Sequence, residues 1–390
     1  MSAFPTYDAK RLHTLEMQAA AILDVFARRG FARVETSILQ PAEIFLDRAG
    51  EEIRRRTFVL TDPAGQELCL RPDLTIPVCR MHLAQGGKFP ARLCYNGLVF
   101  RHQPLEPERP AQFFQAGAEL LGVEDRVAAE TEMLTLTVEA MHAAGLETFE
   151  MKLGDLALFG AFIDALDIAP QWRGRLKRHF WRAGYFEELL QKLSQEQRTD
   201  AQRLLAHLGT LEESEARPAF EGLMDMLGGV PLGGRTREEI VDRLIEQAAD
   251  AATLRLDAGL AALIAKLLAV SGSAADALSE IRALTKSAGV SLEAPLTAMT
   301  ARLETLKSLG IKPARISFAA RFGRNMEYYT GFVYELWSRD AEGAVQIAGG
   351  GRYDTLLEQL GSGRPVPAVG FTIRTERVLA ARQAQKATKK

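Results

Sequence analysis

ARLCYNGLVFR at residues 91–101 and QFFQAGAELL at residues 112–121 are two strand candidates that follow one another closely in this chain. The first alternates apolar and polar residues, which is typical of a strand with one buried face. The loop between them contains Pro104, Pro107 and Pro110, and proline is excluded from the interior of a sheet. Two strands separated by such a loop are expected to pair side by side.

Other strand and helix candidates lie at both ends of the chain. Apolar residues recur every three or four positions from Asp8 to Gly30, which predicts an amphipathic helix with Asp8 as its N-cap. A second helix is predicted at 125–144, before Gly145. The other strand candidates are 32–39, 56–60, 67–71, 315–321, 331–337 and 344–348. Strands joined by hairpins and short loops indicate an α+β fold, a mainly antiparallel sheet flanked by helices.

The middle of the chain has a different character. From 154 to 310 strand signals nearly vanish, and Leu, Ala, Glu, Lys and Arg recur with helical spacing. We therefore expect a discontinuous core fold formed by residues 1–153 and 311–380, interrupted by a mainly helical insertion at 154–310. Residues 381–390 are expected to form a disordered tail.

Composition excludes several classes of protein. The 390 residues include 48 Lys+Arg and 50 Asp+Glu, so the formal net charge of −2 creates no field that would hold a polyanion. The mean hydropathy of −0.07 is that of a folded globular chain, and the most apolar stretch, 259–270, is shorter than the roughly 20 residues needed to span a bilayer. The three cysteines have no disulfide or metal spacing, and no signal peptide is evident, so we expect a cytoplasmic protein without membrane contact.

Two further patterns, the histidine spacing and a glycine run, bear on ligand binding. The six histidines show no metal-ligand spacing, so no metal site is predicted. Gly349-Gly350-Gly351-Arg352 lacks the spacing of a phosphate loop. We expect this glycine run to form a tight turn or a close backbone approach.

Several polar residues stand inside otherwise apolar segments and form a candidate site. Gln115 and Glu119 are four apart in a strand candidate, so both side chains lie on the same face. Asp73 and Glu119 could accept hydrogen bonds from an ammonium or imidazole group, while an arginine could bind a carboxylate. These residues therefore indicate an amino-acid pocket. The alternative from the residues alone is a structural network of ion pairs.

These segments, in this order, resemble the catalytic core of class II aminoacyl-tRNA synthetases, and specifically of histidyl-tRNA synthetase. The resemblance covers residues 12–378 apart from most of the helical insertion. The segments that carry it are LRPDLT at 70–75, the motif 2 region at 100–119, RNMEYYTG at 324–331, AGGGRYD at 348–354 and the motif 3 region VGFTIRTER at 369–377.

The resemblance implies a fold and a ligand. The fold is a six-stranded antiparallel sheet flanked by helices, with self-dimerisation through the first helix and strand. The implied ligand is histidine, and the residues that match the family's histidine-binding positions are Asp73, Thr75, Arg101, Gln115, Glu119, Arg324, Tyr328 and Tyr329. No catalytic residue and no cofactor is expected.

Departures from the family pattern fall on the part that handles ATP. Gln103 replaces a glutamate of motif 2, and Pro104 and Ala111 stand where the family usually has arginines that would stabilise phosphate charge. Arg374 replaces a motif 3 glycine, and we expect it to obstruct the adenine site. Arg101 and Arg377 are retained. Ser37 replaces the proline of motif 1, which bears on the dimer contact.

The chain ends thirteen residues after Arg377, where the synthetase continues into an anticodon-binding domain. A retained amino-acid pocket, an altered nucleotide pocket and the absence of that domain resemble the regulatory-subunit family of the short-form ATP phosphoribosyltransferases. The resemblance implies a non-catalytic protein that assembles with a short-form catalytic subunit in the first step of histidine biosynthesis, responds to histidine and binds no tRNA. The alternatives are a truncated paralogue that forms histidyl-adenylate, and a scaffold with a vestigial site.

Overall fold

The computed structural model describes residues 5–46, 51–103, 110–180, 183–194, 204–205, 207–226, 237–252, 256–323 and 328–388. The chain forms two compact units. The first comprises Met1–Phe162 and Leu267–Lys390, and the second comprises Ile163–Lys266.

The strands and helices of the first unit alternate along the chain. Its strands are β1 (Ala32–Arg33), β2 (Leu39–Pro41), β3 (Phe58–Thr61), β4 (Glu67–Leu70), β5 (Ala91–Phe100), β6 (Gln112–Leu121), β7 (Glu150–Asp155), β8 (Ser271–Ser273), β9 (Ile316–Ala319), β10 (Phe332–Arg339), β11 (Ala344–Arg352) and β12 (Ala368–Arg374). Its helices are α1 (Ala9–Arg28), α2 (Glu43–Leu46), α3 (Glu51–Arg56), α4 (Thr75–Ala84), α5 (Arg126–Ala143), α12 (Ala274–Ser287), α13 (Glu293–Ser308) and α14 (Thr375–Thr388), with a 3-10 turn at Pro313–Arg315 and a π-helical turn at Glu358–Ser362. Helix α6 (Leu156–Ala165) leads from the first unit into the second, and α11 (Ala258–Ala269) leads back.

Nine strands form one sheet in the order β1-β5-β6-β12-β11-β10-β7-β9-β8. The six strands from β5 to β7 are paired antiparallel throughout, which confirms the predicted fold class. Two short pairings, β1 with β5 and β7 with β9, are parallel and extend this central sheet at its edges. Strands β2, β4 and β3 form a separate three-stranded sheet.

The two faces of the large sheet are covered differently. One face, which includes Phe371, packs against α1 and α5: the rings of Phe26 and Phe371 meet edge to face at 5.6 Å, and the hydroxyls of Thr137 and Tyr334 lie 2.7 Å apart. The other face carries Tyr95, Gln115 and the residues that alternate with them, and it is covered by a second set of elements. Those elements are the small sheet, α4 and the segment 353–366, whose apolar residues form one buried core cluster.

The ends of α1 and α5 follow from their flanking residues. The carboxylates of Asp8 and Asp125 accept hydrogen bonds from the backbone N–H groups of Arg11 and Ala128, so both are N-caps. Gly30 and Gly145, with φ of 80° and 78°, take the left-handed conformation that ends a helix. The predicted N-cap Asp8 is therefore confirmed.

Three expectations from sequence differ from the structure. The expected disorder of 381–390 is wrong for 381–388, because α14 continues to Thr388 and buries Ala381. The strand expected at 32–39 is divided into β1 and β2. For Gly349-Gly350-Gly351 the expected tight turn is wrong, because the run lies inside β11. The alternative, a close backbone approach, is confirmed, since backbone from both neighbouring strands lies against these glycines.

The second unit is narrower than the 154–310 segment that composition singled out. Residues 274–308 form α12 and α13, which belong to the first unit, and α13 packs against α5. The second unit contains the helices α7 (Pro170–His179), α8 (Ala183–Ser194), α9 (Glu213–Met226) and α10 (Arg237–Ala252). Phe220 and Val241 lie in a small apolar core between α9 and α10. Among the described helices, none is long and apolar enough to cross a membrane.

A buried cluster of charges joins α5, α13 and β11. The guanidinium groups of Arg302 and Arg352 both donate to the carboxylate of Glu130, and Arg302 Nε lies 2.7 Å from Glu130 Oε2. All three residues are at most 4% exposed. Arg302 also lies 3.3 Å from Asp155, and Arg352 donates to Asp354 at 2.8 Å. Although burial lowers the pKa of Arg352, the charges of Glu130 and Asp354 raise it above its usual value. Glu130 therefore holds two buried cations.

Replacing Glu130 with alanine should destabilise the first unit strongly. It leaves two desolvated guanidinium groups without their shared carboxylate, and breaking a buried ion pair from one side costs about 3–5 kcal/mol. We expect urea denaturation to show a loss of this size in the free energy of unfolding. Glu132→Ala, on the same helix, breaks the more exposed pair with Arg92 and should cost no more than about 1 kcal/mol. Equal losses in the two variants would contradict the role assigned to Glu130.

Candidate functional site

Glycines clear space for polar side chains on the site face of the sheet. A Cβ on Gly370 would lie 1.6 Å from Glu119 Oε2, and one on Gly117 would lie 2.6 Å from the hydroxyl of Tyr95. A Cβ on Gly351 would meet the backbone oxygen of Phe332 at 2.6 Å. These distances are far inside van der Waals contact. The glycines therefore make the sheet thin enough for buried polar groups to lie directly against its backbone.

Glu119 is the most enclosed of these groups. Its side chain has no exposed surface, its Oε1 accepts a hydrogen bond from Tyr95 at 2.7 Å, and its Oε2 accepts one from the hydroxyl of Tyr353. Burial raises the pKa of Glu119 to about 7, against the opposing effect of these tyrosine hydrogen bonds. The charge of Asp73 raises it further. Near neutral pH this carboxyl group is poised between its two protonation states.

Asp73 lies in the turn before α4 and is also fully buried. Its Oδ1 accepts a hydrogen bond from Ile76 N at 3.3 Å, whereas its Oδ2 has no partner within the ranges that the structure describes. Burial raises the pKa of Asp73 to about 6, although the charge of Arg101 lowers it. Arg101 Nε donates to Pro72 O at 2.7 Å, so this arginine also fixes the turn that carries Asp73.

Arg71, two residues before Asp73, has a structural role. Its side chain is 2% exposed, and its Nε donates to Leu98 O at 2.8 Å across the space left by Gly97. Its Nη1 donates to Glu35 Oε1 at 3.0 Å and to Thr36. These bonds connect the turn at 71–75 to β5 and to the segment between β1 and β2, which holds the acidic side of the site in place.

A small polar cavity opens on this face. Two of its buried acceptors, Asp73 Oδ2 and Gln115 Oε1, have no hydrogen-bond partner among the described residues. The rings of Tyr328 and Tyr329 pack against one another at 4.8 Å, and Tyr328 meets Tyr353 edge to face at 5.6 Å. The lining residues are Asp73, Thr75, Arg101, Gln115, Tyr328, Tyr329, Gln346, Ala348, Gly349, Thr372 and Arg374.

The structure brings together most of the residues predicted from sequence. Six of the predicted histidine-binding residues line this cavity, namely Asp73, Thr75, Arg101, Gln115, Tyr328 and Tyr329. Glu119 lies behind the lining, in contact with Tyr95 and Tyr353. Arg324 lies outside the described residues.

Sequence reasoning missed Tyr95 as a site residue, and it missed Gln346. Tyr95 is the direct partner of Gly117 on the β5–β6 ladder, so a large polar residue faces a glycine there. That pairing is a recognisable signal once the register is known, but it is hidden when each strand is considered alone. Tyr353 belongs to the AGGGRYD segment, for which no role was predicted, and its hydroxyl donates a hydrogen bond to Glu119.

A larger cavity of about 400 Å³ adjoins the region of motifs 2 and 3. It is lined by Pro5, Tyr7, Arg11, Gln103, Pro110, Phe113, Asp340, Glu342, Ala344, Val345, Arg374, Glu376, Arg377 and Ala380. Arg374 lies with its Cζ 4.8 Å from the centre of the Phe113 ring, and it lines the smaller cavity too. Arg374 thus lies where the two cavities approach one another.

Other groups of the larger cavity are already engaged in hydrogen bonds. Glu376 accepts from Phe114 N at 2.8 Å and from Tyr7 at 3.0 Å, and burial raises its pKa. Arg377 donates to Gln346 O at 3.0 Å. Gln103, which replaces a family glutamate, accepts from Arg56.

The smaller cavity has the chemistry of a site for a dipolar ligand. Its acidic side offers buried acceptors without donors, and leaving such an acceptor unpaired costs about 1–3 kcal/mol. A ligand with an ammonium or imidazole N–H would satisfy them. Its basic side presents Arg101 and Arg374. In the described part of the chain, no three His, Cys, Asp or Glu residues are grouped so that they could hold a metal ion.

The fold is that of the histidyl-tRNA synthetase class of proteins. The family model of histidyl-tRNA synthetase matches residues 7–227 and 220–378. A solved structure from Bacillus halodurans, described as an ATP phosphoribosyltransferase regulatory subunit/histidyl-tRNA synthetase, has the same fold. Its TM-score is 0.65 at 24% identity, over 98% of this chain and 82% of that one.

More similar sequences narrow the assignment. An ATP phosphoribosyltransferase regulatory subunit of Brucella anthropi is 37% identical over 88% of this chain and 92% of its own length. One from a Chelativorans species is 38% identical over 93% of this chain and 97% of its own length. The chain belongs to the family of ATP phosphoribosyltransferase regulatory subunits.

The raised pKa of Glu119 predicts a pH-dependent stability. Burial raises this pKa from 4.5 in the unfolded chain to about 7 in the folded one, so the folded state binds the proton more tightly. The corresponding stability is present below pH 4.5 and is lost as the pH rises through 7, by about 3 kcal/mol in all.

Glu119→Gln removes this titration. Between pH 4.5 and pH 8, urea denaturation should show the stability difference between variant and wild type moving by about 3 kcal/mol in favour of the variant. Asp73→Asn should show its own shift in the lower window between 3.8 and about 6. A pH-independent difference for Glu119→Gln would contradict the raised pKa.

The cost of a side chain at position 370 should depend on Glu119. Gly370→Ala places a Cβ on the Glu119 carboxylate. We expect the free energy of unfolding to fall by about 1–3 kcal/mol or more, which is the usual cost of overpacking. In a Glu119→Ala background the same substitution should cost less, because the clashing oxygen is gone. A double-mutant cycle by urea denaturation measures this coupling, and strictly additive costs would refute the proposed contact.

Proposed function

We propose that this chain is the regulatory subunit of a short-form ATP phosphoribosyltransferase, the enzyme of the first step of histidine biosynthesis, and that it acts in the cytoplasm. It assembles with the short catalytic subunit and is required for its activity. Histidine binds in the smaller cavity and favours a less active state of the complex. As an effector, histidine shifts this equilibrium only by its difference in affinity between the two states.

The observation that supports histidine binding is a pair of buried acceptors, Asp73 Oδ2 and Gln115 Oε1, that find no partner in the described part of the chain. Donors for these atoms can come from a ligand. Histidine carries donors in both its ammonium and its imidazole groups. The aromatic walls formed by Tyr328 and Tyr329 suit a flat ring.

A non-catalytic role is supported by the state of the larger cavity. The family resemblance implies a glycine within motif 3 where this chain has Arg374, and the guanidinium group of Arg374 lies over the Phe113 ring. A nucleotide base would have to displace that cation in order to stack on the ring. The chain thus retains an amino-acid pocket beside an altered nucleotide pocket, and we propose that it transfers no aminoacyl group to tRNA.

The competing function is formation of histidyl-adenylate by a synthetase paralogue. The cavity of about 400 Å³ and the presence of Arg377 in its wall favour this alternative. It requires histidine-dependent exchange of pyrophosphate with ATP, whereas the regulatory function requires that this exchange is absent. The exchange assay therefore separates the two.

We also propose that the chain forms a self-dimer through its first helix and the strand segment at 32–39, as the family resemblance implies. Large apolar side chains are exposed on both: Leu12 and Met17 on α1 are 38% and 59% exposed, and Ile38 and Leu39 are 41% and 45% exposed. Exposed apolar side chains of this size are available for an interface.

The test is reconstitution with the short catalytic subunit. Adding the purified chain should activate condensation of ATP with phosphoribosyl pyrophosphate, and histidine should inhibit the activated complex. Asp73→Asn should raise the half-inhibitory histidine concentration about tenfold or more, because a hydrogen bond to a buried charged group is worth about 1.5–3 kcal/mol. The measurement is the rate of product formation over a histidine titration.

Asp167→Asn, an exposed aspartate in the second unit, is the matched control and should leave the titration unchanged. Lack of activation by the wild-type chain would refute the regulatory function. Activation with inhibition that Asp73→Asn does not alter would refute this cavity as the histidine site.

A further inference from the structure

The aromatic wall of the smaller cavity lies in an irregular segment of the chain. Tyr328 and Tyr329 line the cavity and are 3% and 9% exposed, and both precede β10. The ladder bonds of the sheet therefore do not place these two rings, and contacts with neighbouring elements must do so. Those contacts decide the shape of the cavity.

The two rings rest on the end of β11. Tyr329 Cδ1 lies 3.0 Å from the position that a Cβ on Gly351 would take, so this ring lies directly on the strand. The ring of Tyr328 meets that of Tyr353 edge to face, with 5.6 Å between their centres. These two contacts fall on either side of Arg352. The wall is thus aligned with three consecutive residues at the end of the strand.

Thr330, the residue after the two tyrosines, fastens their segment to this strand end. Its N–H donates to Arg352 O at 2.8 Å, and its hydroxyl accepts a hydrogen bond from Asp354 N at 3.0 Å. The two segments also approach closely at the next residue, since a Cβ on Gly331 would lie 3.2 Å from Arg352 Cδ. Thr330 therefore binds the backbone on both sides of Tyr353.

Asp354 is itself held in place by β12 and by an ion pair. Its Oδ1 accepts from Ala368 N at 3.0 Å and from Arg352 Nη1 at 2.8 Å, and Tyr353 N donates to Ala368 O at 2.8 Å. Asp354 is 8% exposed, so its N–H would be buried without an acceptor if the hydroxyl of Thr330 were absent. Burying an unpaired donor is unfavourable, and the two segments would separate until water reached that N–H.

We propose that Thr330 positions the aromatic wall and thereby determines how tightly the cavity binds a ligand with a flat ring. This proposal rests on histidine binding at this cavity, as in the proposed function, and adds a residue that controls the affinity. Among the described residues, those that line the cavity do not include Thr330, so it acts through Tyr328 and Tyr329. Dispersion contacts weaken steeply when a gap of about 0.5–1 Å opens, so a small displacement of the two rings is enough to lower the affinity.

The test is titration calorimetry of histidine on the full chain. Thr330→Val replaces the hydroxyl with a methyl group of nearly the same shape. It should weaken histidine binding by about tenfold, because an unpaired buried N–H disfavours the arrangement in which the rings are aligned. Thr330→Ser keeps the acceptor oxygen and should bind histidine as the wild type does. If Thr330→Val does not fold, Thr330→Ala, which leaves room for a water on Asp354 N, replaces it in the same comparison.

Ser273→Ala is the matched control. The hydroxyl of Ser273 accepts a hydrogen bond from Asp276 N at 3.3 Å and caps α12, at the end of the edge strand β8. The variant removes the same kind of bond outside the cavity lining, and the loss of such a cap lowers stability. Urea denaturation should show a loss of stability for both Ser273→Ala and Thr330→Val, whereas only Thr330→Val should weaken histidine binding.

Three results would refute the role of Thr330 while histidine binding by the wild type still stands. They are wild-type affinity in Thr330→Val, an equal loss of affinity in Ser273→Ala, and no recovery in Thr330→Ser. If the wild type binds no histidine, histidine sensing at this cavity is refuted, and the role of Thr330 with it.

Discussion

The burial of a single carboxylate constrains much of the first unit. Glu119 has no exposed surface and lies in the centre of the large sheet, where an isolated charge would cost far more than the fold can supply. The chain meets this cost with two tyrosine hydroxyls, and it provides the space with glycines on the adjacent strand and on β6 itself. The pattern of glycines, tyrosines and acidic residues on this face is therefore one feature, organised around a charge that the sheet must enclose.

Such a site is costly for an empty protein and favourable for an occupied one. The raised pKa values of Asp73 and Glu119 show that burial disfavours their charged forms. A ligand that brings N–H donors or a positive charge reverses that effect and returns the free energy as affinity. The same desolvation of buried carboxyl groups thus lowers the stability of the free chain and would strengthen the binding of such a ligand.

Local pattern was sufficient to predict most of the fold. The alternation in 91–101, the N-cap Asp8 and the helix ends at Gly30 and Gly145 all depend on neighbouring residues, and the structure agrees with each. The site was predicted only in part. Asp73 and Gln115 stood out as polar residues within apolar segments, whereas Tyr95 was missed because its role depends on which residue faces which across two strands. That register is a property of the assembled sheet. The predicted boundaries of the helical insertion were wrong for a related reason. Helices α12 and α13 have the same composition as the helices of the second unit, and only their packing assigns them to the first unit.

The place where the second unit enters the chain has a consequence for chain entropy. The sheet is left at Asp155, the end of β7, and is rejoined at Ser271, the start of β8, and these strands are the two neighbours of β9. Strands are spaced about 4.8 Å apart, so the two points lie about 10 Å from each other. Closing a loop costs only about 0.6 kcal/mol more for each doubling of its length, so replacing a ten-residue connection by the whole 156–270 segment adds roughly 2 kcal/mol. A large helical unit can therefore be gained, lost or exchanged at this point. The strand register that assembles the site stays unchanged, and so do the buried ion pairs between α5 and α13.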